Sequence, residues 1–131
     1  MLNLVLTEEN GAAAAARQAL CEETGAIPAT VQDDVLLLVS ELVSNAVQHA
    51  GAGPERPLRL QLLRGARWLV VTVSDEGPGF TWHPNAKRRN ESGGWGLFLV
   101  DQIADCWGVE CTASGARVWF ELAYEATEGV S

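Results

Sequence analysis

The chain has a single lysine, Lys87, and its nine basic side chains stand against seventeen acidic ones. A formal net charge of −8 argues against non-specific nucleic-acid binding, which needs side chains that neutralise phosphates. An acidic chain still holds a small polyanion if it concentrates positive groups locally, so distribution matters more than the sum. No apolar run approaches the roughly 18 residues needed to cross a bilayer. The short apolar start, Leu2–Leu6, lacks the basic segment that precedes the core of a signal peptide. No membrane partner is expected, and the expected compartment is cytoplasmic. Cysteine is scarce and odd in number: Cys21, Cys106 and Cys111 form no C-x-x-C pair, so neither zinc binding nor redox exchange is indicated. Free, mostly buried thiols are expected.

What is present is one domain's worth of chain. A length of 131 residues has room for a single core, which buries roughly two thirds of the unfolded surface without a disulfide or metal. Leu2–Leu6 suits an edge strand. Thr7 or Asn10 is expected to cap a helix through the alanine-rich stretch to about Glu23, with Gly25 and Pro28 ending it. Thr30 is expected to cap a second helix, with Asp33 and Asp34 in its first turn. That helix runs to about Ala50, with Val35, Leu38, Leu42 and Ala46 along one face. Leu58–Leu62 alternates like a half-buried strand, Gly65 marks a turn, and Trp68–Ser74 is a more continuous, central-type strand. From Asp75 to Gly94 the pattern disappears, and a patternless stretch of that length inside one domain is usually functional, often a lid. Trp95 to about Cys106 reads as a third helix, and Val109–Thr112 and Arg117–Leu122 as a closing hairpin around Gly115. The order β-α-α-β-β-loop-α-β-β predicts an α+β two-layer sandwich as one domain over residues 1–131.

Three segments carry residues suited to chemistry. Glu41, Asn45 and His49 are four residues apart and stack along one face of the second helix. An acid, an amide and an imidazole in line suit a divalent cation or a substrate, although the stripe taken alone reads as solvated helix surface. Asp75-Glu76-Gly77-Pro78-Gly79 follows the central strand, where a carboxylate and two glycines suit close backbone approach to a ligand, or a tight turn with Asp75 bonded to its own backbone. Gly93-Gly94-Trp95-Gly96 runs into the third helix, where free N–H groups and the positive end of the dipole favour a phosphate. It is neither a Walker A loop nor a Rossmann fingerprint. Lys87-Arg88-Arg89, between the glycine clusters, is a solvated basic run or a polyphosphate contact.

Together the segments resemble a known family. Glu41-Leu42-Val43-Ser44-Asn45-Ala46-Val47-Gln48-His49-Ala50 is similar to the N box of GHKL ATPases. Asp75–Gly79 resembles their D-x-G-x-G box and Gly94-Trp95-Gly96-Leu97 their G-x-G-L box. Trp107-Gly108-Val109 and Val118-Trp119-Phe120-Glu121-Leu122 resemble the anti-sigma factor and serine kinase branch, and the likeness covers nearly the whole chain. It implies the Bergerat fold, a mixed, mostly antiparallel sheet covered on one face by three helices. It also implies ATP and Mg2+ as cofactors. Asp75 would accept a hydrogen bond from the adenine amino group, Asn45 would supply an oxygen to Mg2+, and the amides of Gly94 and Gly96 would receive phosphate oxygens. His49, Gly77, Gly79, Lys87, Arg88, Gly93, Trp95 and Leu97 would complete the nucleotide site. Glu41 would be the general base toward a partner's serine hydroxyl. The implied partners are a STAS-type anti-anti-sigma protein and a sigma factor, with room for a homodimer.

The chain departs from the family in its last hairpin, where a threonine near the adenine is common and this sequence reads Gly115-Ala116-Arg117. Arg117 there either reaches a phosphate or faces solvent. A non-catalytic, nucleotide-responsive binding module is the alternative function. A sensor histidine kinase catalytic domain is not expected, because no helical hairpin with an acceptor histidine precedes the boxes. A plain metal site at Glu41, Asn45 and His49 leaves both glycine boxes unexplained.

Overall fold

Strand β1 (Leu2–Leu6) leads into helices α1 (Ala12–Glu23) and α2 (Ala29–Ala50), followed by strands β2 (Leu58–Arg64) and β3 (Trp68–Asp75). Helix α3 (Leu97–Ile103) and strands β4 (Cys106–Thr112) and β5 (Gly115–Ala123) complete the computed structural model. Residues 1–7, 11–50, 57–75, 97–112 and 115–125 are described, with backbone alone at 48–50, 75, 97, 111–112 and 115–116.

The five strands form one sheet in the order β1-β2-β3-β5-β4. Every pair is antiparallel among the described residues, in keeping with the mostly antiparallel sheet expected. The chain leaves β3 at Asp75 and returns through α3 to β4, which runs in the same direction as β3 but one strand away. The hairpin partner β5 fills the gap, so two parallel neighbours never meet.

Alternation places one face of the sheet against the helices. Leu58, Leu60 and Leu62 of β2, Leu69, Val71 and Val73 of β3, and Val118, Phe120 and Leu122 of β5 are all buried. They meet Ala12, Ala16 and Leu20 of α1, Val35, Leu38, Val39, Leu42, Val43 and Ala46 of α2, and Val100 of α3 in one core. The expected α2 face is therefore correct. β3 is the middle strand, as expected, but it buries only alternate residues, because Val70, Thr72 and Ser74 lie on the face without helices.

The helix starts differ from expectation. Neither Thr7 nor Asn10 is placed at the start of α1; the cap is Gly11, whose φ of 87° is in the left-handed region, and its carbonyl accepts the Ala15 N–H at 2.9 Å. Asn10 lies outside the described residues. Thr30 is a helix residue rather than the cap of α2: the Pro28 carbonyl accepts the N–H groups of Val31 (3.0 Å) and Gln32 (2.9 Å). Pro28 fits there because it has no N–H to leave unpaired. No acidic residue lies in the first turn, so Asp33 and Asp34 fall beyond it.

α1 ends at Glu23, before Gly25, through a side-chain device that periodicity does not reveal. The Thr24 N–H and hydroxyl both donate to the Leu20 carbonyl, at 2.8 and 2.6 Å. From α2, the Gln32 amide reaches Thr24 Oγ1 (3.0 Å), the Cys21 carbonyl (3.3 Å) and the Thr24 carbonyl (3.4 Å). Terminal carbonyls that the helix cannot satisfy are thus served from the next helix. α3 is shorter than expected: it ends at Ile103, and Cys106 already opens β4. Cys21 and Cys106 are free thiols as expected, but both are exposed rather than buried.

Candidate functional site

Helix α2 touches all the other elements that bear site residues. Its buried row faces the sheet, and it packs against α1, α3 and β3. At 3.6 residues per turn, Gln32 and Ser40 lie on one flank of the buried row and Glu41 and Asn45 on the other. Gln32 clamps the end of α1, and Ser40 accepts from Arg17 of α1 at 3.3 Å, so the first flank belongs to α1. In a single helix layer where α2 touches both neighbours, the Glu41–Asn45 flank faces the α3 side.

Glu41 and Asn45 are both half-buried. Among the described residues neither side chain makes a hydrogen bond or an ion pair. The contrast with Gln32 is chemical: its amide nitrogen donates inside the fold, whereas the Asn45 amide has no partner among the described residues. His49 continues the stripe along the α2 backbone one turn after Asn45, and its side chain is outside the described set.

Asp75 is the last residue of β3, in register with Leu58 of β2 and Ala116 of β5. Leu58 is also the first residue of β2, joined to the end of α2 through residues 51–57. That connection brings the C-terminal end of α2 to the sheet end at which β3 delivers Asp75. α3 begins at Leu97, and α2 touches both β3 and α3. Gly77, Gly79, Lys87, Arg88, Gly93, Gly94, Trp95 and Gly96 lie outside the described residues.

Arg117 is settled by its pairing. It stands opposite Glu110 in the β4–β5 register, and its guanidinium holds the Glu110 carboxylate with Nε and Nη2 each 2.6 Å from Oε1. Alternation with buried Val118 puts it on the sheet face away from the helices, at the solvent. The position between the helices and Asp75 is thus not supplied with this cation.

Residues without an assigned role in the sequence reading fix α3. Trp107 Nε1 donates to Asp101 Oδ1 at 3.0 Å, tying α3 to β4. The Asp105 carboxylate accepts the Ala123 N–H at 2.7 Å, and the Asp105 N–H donates to the Glu121 carbonyl at 3.0 Å. Together they hold the turn from α3 into the outer hairpin. The only advance signal was the strand-like position of Trp107.

The sequence matches the family described as histidine kinase-like ATPase domain over residues 6–122. It is also similar to the sensor histidine kinase PdtaS of Mycobacterium tuberculosis, in strain CDC 1551 / Oshkosh and in strain ATCC 25618 / H37Rv. Each likeness is 35% identity over 68 residues, covering 50% of this chain and 13% of the relative. Among the described residues, no helix is long and apolar enough to cross a membrane.

Proposed function

This chain belongs to the histidine kinase-like ATPase domain family, and from that premise we propose that it is an ATP-binding regulatory protein kinase. The observation that carries the reading is the half-buried Glu41–Asn45 pair on the α3 side of α2, which has no hydrogen-bond or ion-pair partner among the described residues. Asp75, the last residue of β3, supports it: a carboxylate at that strand end would accept from an adenine amino group. The donor set fits Mg2+ as well: a hard cation takes oxygen ligands and keeps most of its waters, so one amide oxygen from Asn45 is a suitable protein ligand. When bound, the cation would neutralise phosphate charge. Glu41, one turn before Asn45, takes the proton of an attacking hydroxyl. Gly94 and Gly96 offer backbone N–H groups to phosphate oxygens at the entry to α3.

The proposed acceptor is a serine on a STAS-type anti-anti-sigma partner, with a sigma factor as the second partner. Phosphorylation would weaken the antagonist's binding by adding charge at the interface. The likeness to PdtaS favours a second reading, phosphotransfer to histidine. The two differ in product: phosphoserine survives acid, whereas phosphohistidine is hydrolysed by it.

The deciding test is calorimetric titration of Mg·ATP into the wild type, Asn45→Ala and Asp75→Asn. Micromolar-range binding, on the order of −7 to −8 kcal/mol, is expected for the wild type, with a loss above about 1.4 kcal/mol in each variant. A wild type that binds no adenine nucleotide ends the reading.

A further inference from the structure

Helices α2 and α3 pack against each other but are held in different ways. α2 sinks Val35, Leu38, Val39, Leu42, Val43 and Ala46 into the core. α3 has seven residues, and among its described side chains Val100 alone is fully buried, with Leu99 and Ile103 only partly so. A helix with so little apolar anchorage rolls or slides unless polar ties stop it.

The exit of α3 is tied through the backbone. The Ala104 N–H donates to the Val100 carbonyl at 2.8 Å, and Asp105 is bonded to β5 through both its N–H and its carboxylate. Those bonds fix where α3 ends but not how it is rolled about its axis. Roll is resisted from the flank, where Asp101 stands about 100° around the helix from Val100. Trp107 lies opposite buried Phe120 in the β4–β5 register, so its ring is on the helix face of the sheet. Its indole N–H donates to Asp101 Oδ1 at 3.0 Å. A carboxylate acceptor makes that bond charge-assisted, and a half-buried indole N–H needs such a partner.

We propose that Asp101 and Trp107 are positioning residues of the nucleotide site: their hydrogen bond holds α3 at the roll and distance from the Glu41–Asn45 flank of α2 that Mg2+-bound phosphates require. This rests on the nucleotide reading and adds a division of labour to it. The residue assigned to adenine, Asp75, belongs to β3 in the middle of the sheet, which does not move with α3. Loosening α3 therefore weakens the hold on the phosphates and spares the hold on the base. A small roll suffices, since a misplacement of about 1 Å costs on the order of 10²-fold where groups must be positioned.

The test is binding of Mg·ATP by calorimetry and of adenosine by ligand-observed NMR. The full chain is compared as wild type, Asp101→Ala, Asp101→Asn, Trp107→Phe and the Asp101→Ala/Trp107→Phe double variant. Asp101 is exposed, so its variants fold, which circular dichroism checks. Mg·ATP binding is expected to weaken about tenfold in Asp101→Ala and in Trp107→Phe, with no further loss in the double variant. Asp101→Asn restores it, because its Oδ1 still accepts, and adenosine binding stays at the wild-type level throughout. Equal losses for both ligands, in step with a lower thermal midpoint, reduce the pair to a structural role and overturn the proposal. A wild type that binds Mg·ATP no better than Asp101→Ala does so too, and leaves the nucleotide reading standing. A wild type that binds neither ligand overturns both.

Discussion

The two flanks of α2 use the same kinds of side chain to opposite ends. On the α1 flank, Gln32 reaches Thr24 and Cys21, and Ser40 holds Arg17, so polar atoms are consumed in joining two helices. On the α3 flank, Glu41 and Asn45 are half-buried and have no partner among the described residues. A polar group withdrawn from water without a hydrogen bond costs roughly 1–3 kcal/mol. Half-burial keeps that cost low by leaving one side to solvent or to a ligand. An amide whose nitrogen donates within the fold stabilises it. One on the opposite flank of the same helix, half-buried and without a partner among the described residues, is free to take a ligand.

That contrast can be broken or sharpened by substitution. The largest effect is expected from Glu41→Gln, which keeps the shape of the side chain but removes the base. Phosphotransfer falls by about 10²–10⁴-fold while the thermal midpoint stays put, and a midpoint that falls in step would make Glu41 structural. Leu42→Ala, in the fully buried row between the flanks, costs about 2–5 kcal/mol of stability by urea denaturation, since it loosens both sides together. Gln32→Ala costs about 1 kcal/mol and leaves the Mg·ATP affinity unchanged by calorimetry; an affinity loss as large as that of Asn45→Ala would erase the distinction between the flanks. Ser40→Ala, which gives up an exposed contact at 3.3 Å, changes stability by less than about 0.5 kcal/mol.

Much of this was legible beforehand, and the misses have physical causes. The α2 row and the alternation of β2 were readable because a core face repeats with the period of its element, 3.6 or 2 residues. The helix starts were misjudged because side-chain caps were sought where backbone geometry does the work. Gly11 enters α1 through a positive φ, and Pro28 offers only its carbonyl at α2. Exposure of Cys21 and Cys106 was not legible, since a thiol suits a core and a surface alike. The mostly antiparallel sheet was expected, but its strand order was not legible, since order is not written in any one strand; β5 enters between β3 and β4 only once the hairpin folds back. Of the three boxes read in the sequence, the glycines of two lie outside the described residues; in the first, Glu41 and Asn45 stand on one helical face as their spacing required.

The sequence by itself determined the local elements, the residues of the three boxes and the alignment of Glu41, Asn45 and His49 along one helix, because those follow from periodicities and torsional preferences within a few residues. Only the tertiary structure decided which flank of α2 would be tied to α1, that Arg117 would be held by Glu110 on the far face of the sheet, and that β1 would stand at an edge of the sheet. Those outcomes depend on partners that are distant in the chain. Hydrogen bonds and packing reach only a few ångströms, so their partners are set by the path of the chain through the fold.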